Sequence, residues 1–280
     1  MAMPRSLLLV RHGESEGNVA KKLSEKRDHS LFTEAFMKRH SSTFRLTNKG
    51  RKQAEMAGDW IRKNVGLEFD RCYTSVYLRA IETACILQLP FAEWRAEIFL
   101  RERDWGDLDV VSQEEKETKY KEIMEARKSD GIFWRPPNGE SMSNLCIRVD
   151  RVIQTMAREC SGKNVIVVCH GETMRAFRII LERMSPWEYA RLDASTDKKD
   201  RILNCQILQY TREDRVFSTN PAIGGATKKS KKLLPHFTWM RSVCPTNTAL
   251  SSNIWTPIQR KKYSNSDLWE IAEQTKRMIE

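Results

Sequence analysis

The stretch SLLLVRHGESEGN, from Ser6 to Asn18, decides how the rest of the chain is read. Four apolar residues follow one another without polar alternation, as in a strand covered on both faces. They end abruptly in Arg11, His12 and Gly13. Open α/β sheets bind ligands at the carboxyl ends of their strands, so a cation and an imidazole at such a tip mark a candidate anion site. A second stretch, NVIVVCHGETMR from Asn164 to Arg175, ends the same way in His170 and Gly171. Glycine lets the backbone turn closely past a ligand. The second stretch also opens a helix whose free amides and dipole favour an anion. A phosphate held between two imidazoles, beside Arg11, is the expectation.

Outward from these tips, strands and helices alternate. LTNKGRKQAEMAGDWIRKNVG predicts a helix with Ala54, Ala57, Trp60 and Ile61 on one side. RCYTS reads as a short strand, followed by a helix from Tyr77 to Leu89 that stops at Pro90. Residues 113–128 predict a charged helix, SMSNLCIRVDRVIQTMARE an amphipathic one, and RILNCQILQY a last core strand. Such alternation implies a layered α/β sheet with helices on both faces. Arg79, one turn into the helix after RCYTS, and Glu102, just after a predicted strand, fall at further strand tips. They would add a cation and a proton donor.

Two regions break the rhythm. Residues 19–45 form a long polar insertion with a short helix expected around Leu31–His40, and insertions of this length are usually functional or mobile. Beyond Thr211 the pattern dissolves into a turn-rich basic stretch with KKSKK, closing in NSDLWEIAEQTKRMIE, where Leu268, Ile271, Ala272, Met278 and Ile279 can share a helix face. Domain organisation is therefore read as 1–210, catalytic, with the 19–45 insertion near the active site, and 211–280, a basic extension.

Composition sets limits. The 280 residues suffice for a substantial core, and no run approaches the roughly 18 apolar residues of a membrane span. Seven cysteines, an odd number without CxxC spacing, argue against a disulfide framework and for a reducing cytoplasm. Of the net charge of +11, residues 211–280 supply twelve Lys and Arg against six Asp and Glu. A basic chain suits anionic partners: phosphorylated small molecules, nucleic acid or acidic lipid.

Taken in order, RHGESEGN, LTNKGRKQA, YTSVYLRAIETA, LRERDWG, NGES and VIVVCHGETMR resemble the successive motifs of the histidine phosphatase superfamily, branch 1, which includes cofactor-dependent phosphoglycerate mutases and many phosphatases. The resemblance covers residues 5–210 and leaves the tail uncovered. It implies a phosphoglycerate mutase-like fold, a three-layer α/β/α sandwich with a mostly parallel central sheet. It also implies that His12 is the nucleophile that becomes phosphohistidine, that Arg11, Arg79 and His170 hold the phosphoryl oxygens, and that Glu102 protonates the leaving oxygen and later activates water. Asn18 and Ser15 fall at motif positions expected to reach the phosphoryl group or substrate, and Arg45 and Thr173 are further candidates for substrate binding. No metal and no cofactor is required by this scheme.

The sequence departs from the mutases. They carry an aromatic residue before the motif asparagine and a Phe-x-Gly-Trp stretch after it; here Gly17 precedes Asn18 and VAKKLSEKRD follows. A counterpart of their basic insertion for the substrate carboxylate is not found. Hydrolysis of a phosphomonoester is thus the expected activity, with mutase-type phosphoryl transfer the alternative. A zinc hydrolase reading rests on His12-Gly13-Glu14 and His170-Gly171-Glu172 as H-x-E pairs, but it lacks the P-C-x-x-C that would hold the metal. A third reading is a binding module acting through the basic tail. The expected partner is a phosphorylated small molecule. An acidic partner or nucleic acid at the tail, and a homo-oligomer, stay open.

Overall fold

Leu7–Val10 lies at the centre of a seven-stranded sheet in the computed structural model, which describes residues 2–217, 227–260 and 262–273. In chain order the elements begin with β1 (Ser6–Arg11), α1 (Glu16–Ser24), α2 (Glu34–Met37), α3 (Asn48–Asn64), β2 (Arg71–Ser75), α4 (Leu78–Ile86) and β3 (Trp94–Glu97). The middle of the chain forms α5 (Gln113–Glu117), α6 (Lys121–Asp130), α7 (Met142–Glu159), β4 (Asn164–Cys169), α8 (Gly171–Glu182) and α9 (Pro186–Ala194). The last part forms β5 (Ile207–Thr211), β6 (Glu213–Phe217), β7 (Thr227–Leu233), β8 (Trp239–Val243), β9 (Ser252–Pro257) and α10 (Asn265–Glu273).

The sheet order is β3-β2-β4-β1-β5-β8-β9. The strands β3, β2, β4 and β1 are parallel, while β5, β8 and β9 pair antiparallel to their neighbours. The missing polar alternation in β1 now has its cause. Leu7 and Leu9 pack into one core with Leu145, Val149 and Met156 of α7 and Phe177 of α8, while Leu8 and Val10 pack into another with Ala54, Ala57 and Ile61 of α3 and Ala80 and Ala84 of α4. Both faces of the strand are dry, which makes the molecule a three-layer α/β/α sandwich.

Register positions the site. Val10 lies opposite Val168 and Arg11 opposite Cys169, so β1 and β4 end level and deliver His12 and His170 side by side. β2 is on the far side of β4, with Thr74 opposite Val168, which brings Ser75 to the same edge.

Several elements differ from the sequence reading. The charged helix expected over 113–128 is two helices broken at Thr118 (φ −105°, ψ −78°), and neither buries a residue, so no packed stripe holds them in line. The short helix of the insertion is confined to Glu34–Met37. The chain beyond Thr211 does not trail away: β8 and β9 extend the central sheet, and Phe237 is buried in the same core as Leu7. KKSKK lies in β7, which pairs with β6 in a separate two-stranded sheet. The terminal helix is present over Asn265–Glu273 without a buried face, leaving Leu268 and Trp269 exposed. Met278 and Ile279, and the turn residues 220–225, lie outside the described residues. All seven cysteines are free thiols.

Candidate active site

His12 is 2% exposed and His170 fully buried, with ring centroids 5.1 Å apart and planes at 62°. The hydrogen bonds around the His12 ring assign its tautomer. His12 Nδ1 lies 2.7 Å from the Gly13 carbonyl, which can only accept, so the proton sits on Nδ1. Arg79 Nε donates to His12 Nε2 at 3.2 Å, consistent with a lone pair on that nitrogen. That lone pair is the nucleophile the chemistry needs. At His170 the neighbour is Ser75, whose Oγ accepts from the Tyr77 amide at 3.3 Å and sits 2.8 Å from His170 Nε2. A serine oxygen can accept a second bond as well as donate one, so this contact fits a proton on either ring nitrogen of His170. Nδ1 is buried with no hydrogen-bond partner among the described residues.

Burial, with the charges of Arg79 and Arg11 behind it, pushes the His12 imidazole well below the usual range. Burial does the same to His170, reinforced by Arg79, His12 and Arg11. A neutral His12 can attack phosphorus, whereas an imidazolium cannot. The two arginines are held from behind. Arg79 Nη1 donates to the Ser41 carbonyl at 2.6 Å and its guanidinium lies 4.9 Å from the Tyr77 ring centroid. Arg11 Nη1 donates to the Ile202 carbonyl at 2.5 Å, while its buried Nε has no partner among the described residues. Both arginines line one cavity, and guanidinium forks match phosphoryl oxygens and the charge that spreads over them during transfer.

Glu102 occupies the same cavity, of about 650 Å³. Its Oε1 accepts from the Arg103 amide at 2.9 Å and more distantly from the Thr173 amide at 3.3 Å. Burial raises its carboxyl above the usual carboxylate range, and the Glu172 carboxylate adds to the rise, against the Arg103 amide, Arg79 and Arg11. The loop that carries it is pinned by Glu140, from the NGES turn. Glu140 accepts from Arg101 at 3.0 Å, from Arg148 at 3.0 and 2.7 Å and from the Asp104 amide at 3.0 Å. Arg148 in turn donates to the carbonyls of Phe99 and Arg101 at 2.6 and 3.0 Å.

Among the sequence candidates, Arg11, His12, Arg79 and Glu102 line one cavity together with Ser15 and Asn18. Ser15 also caps α1, its hydroxyl accepting from the Asn18 amide at 3.4 Å. Others have different places. Thr173 donates its hydroxyl to the Arg101 carbonyl at 2.9 Å, so it braces the Glu102 loop rather than facing solvent. Arg45 is exposed and pairs with Glu82 away from the lining residues. Gly13 also has a different reason from the one expected. A Cβ there would come 2.3 Å from the Gly50 carbonyl oxygen, so the glycine admits the start of α3, not a ligand.

Sequence reasoning missed three supports. Ser75 was visible as a strand-tip serine inside YTSVYLRA, and Glu140 as the acid of NGES. Asn204, whose Nδ2 donates to both the His12 carbonyl at 3.1 Å and Asn18 Oδ1 at 3.0 Å, carries no motif signal. The insertion was expected near the site, and it supplies Ser41 to Arg79 and the rings of Phe32, Phe36 and Phe44 to the cavity wall.

Comparison with known proteins identifies the family. The model of the histidine phosphatase superfamily (branch 1) matches residues 7–202. A 2,3-bisphosphoglycerate-dependent phosphoglycerate mutase of Cytophaga hutchinsonii is 34% identical over 200 residues, 68% of this chain and 83% of that protein. A 6-phosphofructo-2-kinase/fructose-2,6-bisphosphatase of Gallus gallus is 31% identical over 172 residues, 61% of this chain and 32% of that enzyme. Among solved structures, a mycobacterial glucosyl-3-phosphoglycerate phosphatase has the same fold, with a TM-score of 0.58 at 19% identity, covering 83% of this chain and 99% of its own. With its fold, its paired strand-tip histidines and this match, the chain belongs to the histidine phosphatase superfamily, branch 1.

Proposed function

We propose that the protein is a phosphatase that hydrolyses a phosphomonoester through a phosphohistidine on His12. The reading is carried by the Nε2 lone pair of a neutral His12, flanked by Arg79 and sharing one cavity with the raised carboxyl of Glu102. In the first step His12 Nε2 attacks phosphorus while Arg11, Arg79 and His170 hold the non-bridging oxygens. Glu102 gives its proton to the ester oxygen as the P–O bond breaks, and the alcohol leaves. In the second step Glu102, now ionised, takes a proton from water, which attacks the phosphohistidine and releases phosphate. The arginines meet the charge of the transferring group, so the scheme uses no metal.

Water is favoured as the acceptor by the wall beside Asn18. A Cβ at Gly17 would meet the Phe44 ring at 2.8 Å, so the insertion fills space that a side chain at that position would need. An aromatic residue there would require the Phe44 ring to shift. The 34% identical relative, which is named a mutase, favours the second reading, phosphoryl transfer back to a substrate. Farther out, Lys21, Lys116 and Arg201 line the cavity, and burial together with Lys21 pulls the Lys116 ammonium down to about 8. These cations suit a small substrate with negative charge beyond the phosphoryl group.

A screen of phosphorylated metabolites in the presence of EDTA tests both readings. Release of inorganic phosphate by the wild type, lost in His12→Ala, is expected. Conversion of 3-phosphoglycerate to its 2-isomer in the presence of the bisphosphate primer, faster than phosphate release, would overturn the hydrolase assignment. Activity abolished by EDTA and restored by zinc would overturn the mechanism.

A further inference from the structure

Glu172 is an acid at the mouth of an anion site, which simple charge matching does not explain. It is the second residue of α8, directly before Thr173, whose amide points at Glu102 Oε1. The two carboxyl groups therefore flank the first turn of one helix and line the same cavity. Glu172 is poorly satisfied where it sits. Its nearest cations are Arg175 Nε at 3.9 Å from Oε1 and Arg103 Nη1 at 4.0 Å from Oε2, both beyond hydrogen-bond reach. Oε2 is buried with no hydrogen-bond partner among the described residues. A buried acceptor left without a hydrogen bond is unfavourable.

Resting on the phosphatase reading above, we propose that Glu172 is a positioning residue for proton transfer: its carboxylate keeps the proton on Glu102 until the leaving oxygen takes it. The need is plain from the surroundings. β1 and α4 face Glu102 with Arg11 and Arg79, and the Arg103 and Thr173 amides donate to it; all of these favour the ionised form, which cannot act as an acid. Glu102 also interacts with Cys169 of β4 and with Tyr77, which are neutral groups, and Arg148 of α7 donates to its carbonyl at 3.3 Å. Glu172 is the anion on the opposing side. It lies 4.0 Å from Arg103 and 3.9 Å from Arg175, and its charge is felt by Arg127 and by Tyr189 of α9. Two carboxyl groups lining one cavity do not both ionise easily.

The test is the pH dependence of phosphoenzyme formation in single turnovers by the full chain. Two substrates are used, nitrophenyl phosphate and the best alkyl phosphate from the screen. Glu172→Gln keeps the shape and removes the charge, so Glu102 loses its proton at lower pH. The alkaline limb for the alkyl ester should move down by about one pH unit, the scale of a single charged neighbour. The limb for the nitrophenyl ester, whose leaving group needs little protonation, should stay in place. Glu172→Asp, which keeps the charge, should return the alkyl limb toward wild type. An unmoved alkyl limb in Glu172→Gln, an equal shift for both esters, or an aspartate variant that behaves like the glutamine one would overturn the role of Glu172. A wild type that forms no phosphohistidine would instead overturn the phosphatase reading beneath it.

Discussion

In the proposed mechanism a single imidazole nitrogen carries the chemistry, and its state is set by the groups packed around it. The Gly13 carbonyl fixes the His12 tautomer, and burial with two guanidiniums keeps the ring neutral. The charged form is the one disfavoured, so the proton leaves as pH rises through a value below the usual imidazole range. In an NMR titration His12 should stay neutral down into the acid range, and an ordinary imidazole midpoint would contradict this. The opposite displacement at Glu102 keeps an acid available above the usual carboxylate range. General-acid assistance is typically worth about 10²–10⁴-fold where the leaving group needs it. Glu102→Gln should therefore slow pre-steady-state transfer from an alkyl phosphate far more than from nitrophenyl phosphate. Equal slowing of both would take the acid role from Glu102.

At the scale of elements, strand tips place the reacting groups and the loops between them keep those groups in register. The Glu102 loop is fastened by one carboxylate, Glu140, bridging Arg101, Arg148 and the Asp104 amide. Although burial opposes its charge, Arg148 and these other donors hold Glu140 below the usual carboxylate range. Breaking a buried pair strands its partner, typically at a cost of about 3–5 kcal/mol. Glu140→Ala should lower stability in urea by about 3 kcal/mol and slow transfer from alkyl esters, because Arg148 is left buried and the loop loosens. Unchanged stability would mean that the loop is held by its backbone alone. The parts of the site that were legible in the sequence are those that follow an apolar run: Arg11-His12 and His170 announce themselves because a buried strand must end before charge can appear. The supports were hidden because their partners are distant in sequence. Asn204 reaches back 192 residues to the His12 carbonyl from a segment whose pattern reads only as a core strand. Thr173 was visible, but its direction was not, since only the fold shows that its hydroxyl meets Arg101.

Over the whole molecule, the least legible feature is the contribution of the C-terminal quarter to the sheet. β8 alternates buried and half-buried residues, but one of its inward residues is Arg241, which hides the strand pattern. That guanidinium lies 4.9 Å from the rings of both Trp60 and Trp255 and donates to Gln209 Oε1 at 2.8 Å, so a cation stands in for an apolar side chain. A chain ending after Thr211 would strip β5 of its β8 partner and remove Phe237 and Val243 from the core. Such a truncation should lose cooperative unfolding and aggregate in size-exclusion chromatography. A truncated chain that melts like the full one would show that β8 and β9 only decorate the sheet. The catalytic constellation and the sheet that supports it converge on covalent capture of the phosphoryl group by His12, which a rapid-quench experiment reads directly. Wild type mixed with a turned-over substrate and quenched in alkali should carry one acid-labile phosphoryl group on the peptide containing His12. It should form and decay at rates that account for turnover, and it should be absent from His12→Ala. Steady turnover without that phosphopeptide, or undiminished activity in His12→Ala, would contradict the account.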